Sequence, residues 1–252
     1  PLSKRGFLRS NRSAPALRNL LRNKKRTAIM NSDYENLIDS LIKDGYLKTP
    51  EIIEAFRIID RINFVREEDK KNAYINAPLS IGFDQTISQP LTVAFMLELL
   101  EPKKGEKILD IGAGSGWTTA LLAQIVSQEL NSKFKNQKSK LGGRVIAIDI
   151  VPELVEFGKN NVAKYSFIKK GVVDFVCADG YKGFEEEMPF DKILVSAATQ
   201  EIPSAWKKQL KIGGRIVAPI SQSIFVIDKI DKDQFNEKEY FGFSFVPLVK
   251  SH

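Results

Sequence analysis

A glycine-rich turn between a predicted strand and a predicted helix constrains the fold of this chain more than any other feature. Apolar residues over Lys107–Ile111 predict a buried strand, and Gly112-Ala113-Gly114-Ser115-Gly116 then leads into a predicted helix over Trp117–Val126. Glycines in such a turn let the backbone approach a ligand closely and point helix N–H groups at it. Alone the turn is a weak signal, because a left-handed turn or tight packing of helix on strand also favours glycine.

Strands and helices alternate along the chain after this turn. The predicted strands are Lys107–Ile111, Arg144–Asp149, Val172–Cys177, Phe190–Ser196 and Gly214–Pro219, and the predicted helices are Trp117–Val126, Pro152–Ala163 and Ile202–Leu210. Continuously apolar strands are typical of a parallel sheet that is covered on both faces. Two further apolar runs, Ser223–Ile230 and Phe241–Pro247, flank the charged turn Asp231–Glu239 and predict a closing antiparallel hairpin. We therefore predict an α/β fold with a Rossmann-like, doubly wound, mostly parallel seven-stranded sheet and helices on both faces.

The region before the sheet is predicted to contain a small helical cap and a loop. One amphipathic helix begins at Asp33, and a second begins at Thr49-Pro50-Glu51, with proline at its first position. The segment Ala77–Pro90 is predicted to be a loop because it combines Pro, Gly and small polar residues, and Pro90 starts the next helix. We expect one domain over residues 30–252, in which 30–100 form the cap and loop and 101–252 the Rossmann-like core.

The positive charge of the chain is concentrated at its beginning. The net charge is +7, but residues 1–29 hold nine of the 38 basic residues and no acid, so 29 basic residues face 31 acidic ones elsewhere. We interpret this head as disordered or loosely helical: a solvated tail, an extension before a start at Met30, an RNA-binding arm or a targeting segment. The polar stretch Ser127–Gly143 is predicted to be an inserted surface loop.

The scarcity of cysteine and histidine excludes several chemistries. Cys177 is the one cysteine, which precludes an internal disulfide and favours a reducing cytoplasm. His252 is the one histidine, so Ser–His and Cys–His pairs and histidine-rich metal sites are not expected. We therefore expect no bound metal. No apolar stretch approaches the roughly 20 residues that cross a bilayer, so we also expect no membrane partner.

Acidic residues at successive strand ends extend the glycine signal. Asp149 ends the second predicted strand, where a carboxylate can accept both hydroxyls of a ribose, and Asp179-Gly180 follows the third, where it could meet an adenine amino group. These positions predict a nucleoside-containing cofactor. Nicotinamide is the natural rival, but the G-A-G-S-G spacing departs from the dinucleotide fingerprint, and Asp110 could meet the amino group of a methionine moiety. The residues therefore favour S-adenosylmethionine.

At this point the chain resembles the protein-L-isoaspartate O-methyltransferase family from about Asp33 to Val249. The most specific match is Ser80-Ile81-Gly82-Phe83-Asp84-Gln85-Thr86-Ile87-Ser88-Gln89-Pro90, and further matches in the same order are Phe190–Ala198, Glu201–Pro203, Gln209–Arg215 and Phe245–Val249. The resemblance implies methyl transfer to the α-carboxylate of L-isoaspartyl residues in damaged proteins or peptides, which is a repair reaction. We expect a monomer, and the resemblance implies that its partners are such proteins.

The resemblance also implies the roles of individual residues. Ser88 would be the active-site hydroxyl. The cofactor would contact Thr86, Ile87, Gln89, Asp110, Gly112, Gly114, Gly116, Asp149, Ile150, Asp179 and Gly180. The substrate would contact Ile81, Gly82, Ala197 and Ala198. The chain departs from the family at Asn76, Asp84 and Thr199-Gln200, which bears on substrate affinity more than on cofactor binding.

Other functions stay open on the sequence alone. The same fold could methylate another carboxylate or a small molecule, or it could serve as a non-catalytic module that recognises damaged protein. A third alternative is an RNA-associated methyltransferase that uses the basic head.

Overall fold

A computed structural model describes residues 32–127 and 142–250 of the chain. The basic head over residues 1–29 and most of the predicted insertion over Ser127–Gly143 therefore lie outside the described residues.

A seven-stranded sheet forms the centre of the described structure, in the order β5-β4-β3-β6-β7-β8-β9. The strands are β3 (Lys107–Ile111), β4 (Arg144–Asp149), β5 (Val173–Cys177), β6 (Phe190–Val195), β7 (Leu210–Ile220), β8 (Ser223–Asp231) and β9 (Gln234–Phe241). Strands β3 to β7 are parallel, whereas β8 and β9 pair in antiparallel fashion. The chain runs outward from β3 to β5 and then returns to pair β6 with β3, so the strand order reverses between β3 and β6. Ligands of open parallel sheets bind at the carboxyl ends of the strands at such a reversal.

Apolar side chains of the strands alternate between two cores, one on each face of the sheet. On β3 and β4, Ile108 and Val145 face one core, and Leu109 and Ile146 face the other. The first core includes helices α1 (32–43), α2 (Pro50–Ile58), α3 (Pro90–Leu100), α4 (Trp117–Val126) and α5 (Pro152–Ala163). The second core includes Trp206 of α6 (Ser204–Gln209). The predicted architecture with helices on both faces is confirmed.

Most predicted elements have the bounds that the sequence indicated. Strands β3 and β4 and helices α4 and α5 match residue for residue, and α3 starts at Pro90 as predicted. Helix α6 is shorter than predicted, and β7 begins at Leu210 instead of Gly214.

The segment Ala77–Pro90 is not a simple loop, so that prediction was wrong. It contains an antiparallel hairpin of β1 (Leu79–Gly82) and β2 (Gln85–Ile87). Phe83 and Asp84 form its two-residue turn, and both have φ of 54°. Two positive φ angles are typical of a type I′ turn, but the sequence lacks the Asn-Gly pair that usually announces one.

The second strand of the closing hairpin is also misplaced in the sequence prediction. Strand β9 is Gln234–Phe241 and not Phe241–Pro247, so most of the predicted charged turn is a strand. The register pairs Val226 with Lys238 and Ile227 with Glu237. Charged side chains suit an edge strand that is exposed to solvent, and they leave no apolar pattern to detect.

Candidate functional site

A cleft that opens to solvent lies at the carboxyl ends of β3, β4 and β6, where the strand order reverses; its empty space, including the open mouth, is about 710 Å³. Its walls come from the hairpin, the glycine turn with the start of α4, the segments that follow β4, β5 and β6, and the segment after β9. The predicted site residues that line it are Ile81, Thr86, Ile87, Ser88, Gly112, Gly114, Asp149, Ile150, Gly180 and Ala197. Gly82, Gln89, Asp110, Gly116, Asp179 and Ala198 are not among its lining residues.

The glycine turn has a backbone that only glycine adopts without strain. Gly112, Gly114 and Gly116 have φ of 75°, 50° and 80°. A Cβ atom on Gly116 would lie 2.9 Å from the carbonyl oxygen of Gly158 in α5. Gly116 therefore serves the close packing of the turn on α5, and Gly112 and Gly114 leave room in the cleft.

Asp149 ties the end of β4 to the glycine turn. Its Oδ2 accepts from the Gly114 N–H at 2.9 Å, and its Oδ1 accepts from the Val151 N–H at 3.1 Å. Burial raises the pKa of Asp149, while the backbone hydrogen bonds lower it. The carboxylate thus stands at the wall of the cleft as a fixed acceptor.

Asp110 lies on β3, just before the glycine turn, and its environment differs from that of Asp149. It is fully buried, and its Oδ2 accepts from the Thr119 hydroxyl at 2.6 Å. Its Oδ1 has no partner among the residues that the structure describes. Burial raises the pKa of Asp110 to about 7, the Thr119 hydrogen bond opposes this, and the nearby Asp149 adds to it. The predicted contact of Asp110 with a cofactor stays a prediction.

Ser88 lies between the hairpin and α3, and it does not cap that helix. Leu91, in the first turn of α3, donates its N–H at 3.0 Å to Oδ1 of Asn76 instead. The Ser88 carbonyl accepts from Arg61, and its hydroxyl has no hydrogen-bond partner within 32–127 and 142–250. The hydroxyl is therefore free to bind a ligand in the cleft.

A further part of the cleft wall is formed where the segment after β9 passes Ala198, just beyond the end of β6. The Ala198 N–H donates to the Val246 carbonyl, and the Leu248 N–H donates to the Ala198 carbonyl, each at 2.8 Å. Ala198 thus holds this segment through its backbone, while its neighbour Ala197 lines the cleft.

Asp179 and Gly180 follow β5 at the same edge of the sheet. The Asp179 carboxylate accepts from the Tyr181 N–H at 3.0 Å and begins a short 3-10 turn. The Gly180 carbonyl accepts from the Trp206 indole N–H at 2.8 Å. Gly180 reaches the cleft, and the proposed adenine contact of Asp179 stays a prediction.

Several lining residues were missed by the sequence reasoning. They are Gln85, Ala113, Ser115, Trp117, Thr118, Ile148, Val151, Ser196, Val246, Pro247, Leu248 and Val249. Those next to the glycine turn and the ends of β4 and β6 could have been found from their position. The 246–249 segment matched the family but carried no apolar period or motif that ties it to a site.

The donor set fits a nucleoside ligand better than a metal ion. Main-chain N–H groups, one fixed carboxylate and small side chains surround the cleft. In the two described ranges, no three His, Cys, Asp or Glu side chains lie close enough together to hold a metal. Likewise, none of the helices described here has the length and apolarity to cross a membrane.

The sheet is mostly parallel, with a glycine turn after β3 and an acid at the end of β4, and an antiparallel hairpin closes it. These features define a Rossmann-like methyltransferase fold. A model of the protein-L-isoaspartate(D-aspartate) O-methyltransferase family matches residues 31–252, and the chain belongs to this family. A protein-L-isoaspartate O-methyltransferase of Methanopyrus kandleri is 36% identical over 85% of this chain and 90% of its own. One of Aeropyrum pernix is 37% identical over 86% and 79%.

A solved structure with the same fold comes from Plasmodium falciparum. It is described as a protein-L-isoaspartate O-methyltransferase in complex with S-adenosyl-L-homocysteine. It superposes with a TM-score of 0.73 at 25% identity and covers 86% of this chain and 99% of its own.

Proposed function

We propose that this protein transfers the methyl group of S-adenosylmethionine to the free α-carboxylate of L-isoaspartyl residues in proteins or peptides. One observation carries the proposal: a single cleft holds the Asp149 carboxylate beside the glycine turn on one wall and the unbonded Ser88 hydroxyl on another. Membership in the family supports this assignment of donor and acceptor.

The adenosine half of the cofactor fits the wall at the ends of β4 and β5. The Asp149 carboxylate would accept hydrogen bonds from the two ribose hydroxyls, and Ile150 and Gly180 would border the base. Gly112 and Gly114 would leave room for the methionine half beside the turn. When bound, the cofactor supplies an electrophilic methyl group on a sulfonium.

The acceptor carboxylate needs no general base. With a pKa near 4 it is already ionised at neutral pH, which agrees with the lack of histidine among the described residues that line the cleft. Catalysis then rests on alignment, and holding two reactants in near-attack geometry is worth about 7–11 kcal/mol. The narrow gap between the hairpin wall and the glycine turn, where Ile81 approaches Gly114, would provide this alignment.

Ser88 would orient the reacting carboxylate by donating a hydrogen bond, and it would not act as a nucleophile. We expect Ser88→Ala to lower kcat by about tenfold, the value of one hydrogen bond to a charged group. Binding of S-adenosyl-L-homocysteine, measured by calorimetry, should change little. Unchanged turnover would remove Ser88 from the mechanism.

One assay tests the proposed function directly. Methyl transfer from labelled S-adenosylmethionine is measured with two peptides that differ only in an aspartyl or isoaspartyl linkage, and we expect activity on the isoaspartyl peptide alone. Cofactor binding without activity on either peptide would favour another carboxylate substrate or a recognition module. Absence of cofactor binding would overturn the proposal altogether.

The setting and partners that we propose are damaged proteins in the cytoplasm. The single cysteine, Cys177, supports the cytoplasm because it suits a reducing compartment. The proposed partners follow from the proposed substrate, which is a protein that carries isoaspartyl residues.

A further inference from the structure

Arg61 begins the short 3-10 turn Arg61–Asn63 that follows α2. It is fully buried, yet its partners are backbone carbonyls. Its Nη1 donates to the carbonyls of Ala73 at 2.6 Å and Ile75 at 3.4 Å. Its Nη2 donates to the carbonyls of Ala77 at 3.0 Å and Ser88 at 3.1 Å. One guanidinium group thus joins the turn over residues 73–77 to the backbone of the proposed active-site serine.

The charge of Arg61 is balanced without a carboxylate. Among the residues of the two described ranges, no acidic group forms an ion pair with it, and its buried Nε has no hydrogen-bond partner. Its guanidinium carbon lies 5.4 Å from the ring centroid of Trp117, which lines the cleft. Burial lowers the pKa of Arg61 to about 10, so the group remains charged at neutral pH. A buried cation that is costly to maintain is used here to hold carbonyls at fixed positions.

A second bond links the same turn to the other side of Ser88. Asn76 lies within the 73–77 turn, and its Oδ1 accepts the Leu91 N–H at the start of α3. The backbone on both sides of Gln89 and Pro90 is therefore attached to one turn. The position of Arg61 is itself fixed by Asp60, whose carboxylate accepts from the Ile62 N–H and the Tyr74 hydroxyl.

We propose that Arg61 is a positioning residue for methyl transfer: its forked donors hold the Ser88 backbone against the 73–77 turn and so set where the Ser88 hydroxyl stands in the cleft. The proposal rests on the proposed function for the identity of the reaction. Only a planar fork of donors suits this task, because lysine presents its donors from a single point and does not span carbonyls on two segments.

Arg61→Lys tests the proposal because it keeps the charge and removes the fork. We expect kcat on the isoaspartyl peptide to fall by about 10- to 100-fold, the range expected for a displacement near 1 Å. The KM for the peptide and the Kd for S-adenosyl-L-homocysteine should stay within about threefold, which is a split that general loss of structure does not produce. Hydrogen–deuterium exchange of the peptide covering residues 85–92 should accelerate, because the Leu91 N–H depends on the same turn.

Arg215→Lys is the matched control. Arg215 also donates to a backbone carbonyl, that of Leu99 at 2.8 Å, and pairs with Asp228, but neither partner lines the cleft, whereas Ser88 does. We expect Arg215→Lys to lower the melting temperature without changing kcat below that temperature. A kcat for Arg61→Lys within about threefold of the unaltered protein, or a loss equal to that of the control, would overturn the proposal. A loss of kcat with unchanged exchange over residues 85–92 would overturn it as well.

Asn76→Ala provides a second test if Arg61→Lys does not fold. Asn76 is exposed, so its removal leaves the core intact while releasing the Leu91 N–H. We expect faster exchange over residues 85–92 and a smaller decrease in kcat, by about three- to tenfold, the value of one neutral hydrogen bond. No change in either measurement would contradict a role for the turn. If the unaltered protein methylates neither peptide, the proposed function fails, and the exchange measurements alone decide whether Arg61 holds the Ser88 backbone.

Discussion

Two walls of the cleft are built in different ways. The wall of the glycine turn and Asp149 lies at the ends of paired strands, where the register β3–β4 places each residue. The wall of the β1–β2 hairpin and residues 246–249 has no strand of the main sheet in it, and it depends on contacts between distant segments. Most of the proposed cofactor contacts lie on the first wall, although Thr86, Ile87 and Gln89 belong to the second. The proposed substrate contacts Ile81 and Gly82 lie on the second wall.

We expect this difference to separate two tasks: the first wall would bind the cofactor, and the second would align the reacting groups. The first wall is a rigid part of the core, and its acceptor Asp149 is held by two backbone N–H groups. The second is held by hydrogen bonds between segments that are distant in the sequence, such as Arg61 to Ser88 and Ala198 to Val246. Changes in the first wall should therefore affect cofactor affinity and stability, whereas changes in the second should mainly affect turnover.

The largest effect on the first wall is expected for Asp149→Asn. The asparagine amide has one oxygen in place of two, so it cannot accept hydrogen bonds from Gly114, Val151 and a ribose together. The Kd for S-adenosyl-L-homocysteine should therefore rise by about 100-fold. Titration calorimetry measures this change. Asp174→Asn is the control, since Asp174 lies on the neighbouring strand and pairs with Arg144 away from the cleft. Equal losses of affinity in both variants would contradict the role of Asp149 in cofactor binding.

Gly158→Ala should disturb the same wall through packing. A Cβ atom there would lie 2.7 Å from the Gly114 carbonyl and 2.9 Å from the Phe175 ring. We expect the free energy of unfolding in urea to fall by about 1–3 kcal/mol, with weaker binding of S-adenosyl-L-homocysteine. Gly171→Ala should lose about 1 kcal/mol from its left-handed φ alone and keep full affinity, because no atom lies within 4 Å of its Cβ. Full affinity in Gly158→Ala would show that the turn does not depend on α5.

Asp110 should make the free energy of unfolding depend on pH. Because its pKa is about 7 in the folded protein and near 4 when unfolded, the folded state binds more protons between these values. Its contribution therefore makes the free energy of unfolding fall as pH rises from about 4 to about 7. Asp110→Asn removes this slope, so the stability of the variant relative to the unaltered protein should increase over that window and level off above it. Denaturation series at several pH values measure the difference, and parallel profiles would contradict the assignment.

The smallest effect is expected at the tip of the hairpin. Replacing Phe83 with Asn and Asp84 with Gly supplies residues that tolerate the observed φ of 54°, and we expect a gain of about 0.4–1 kcal/mol. Thermal denaturation measures the gain, and the Kd for S-adenosyl-L-homocysteine should not change. A loss of stability would show that the exposed Phe83 side chain makes a contact that outweighs the strain of its backbone.

The sequence predicted the first wall well because its signals are local. The apolar runs of β3 and β4, the glycines between β3 and α4, and Asp149 at a strand end specify position without further information. The second wall depends on tertiary contacts, and its hairpin lacks the usual turn residues at Phe83 and Asp84. Family resemblance supplied Ser88 and the 245–249 segment, but it did not supply the bond from Arg61. That bond joins residues 27 positions apart and leaves no local pattern.

The segment beyond β9 also has a practical consequence for protein engineering. Val249 lines the cleft, and the ammonium group of Lys250 lies 4.4 Å from the ring centroid of Tyr181, beside Gly180. A label or fluorophore attached within residues 246–250 would therefore lie beside Gly180, at the end of the cleft that we propose for adenine.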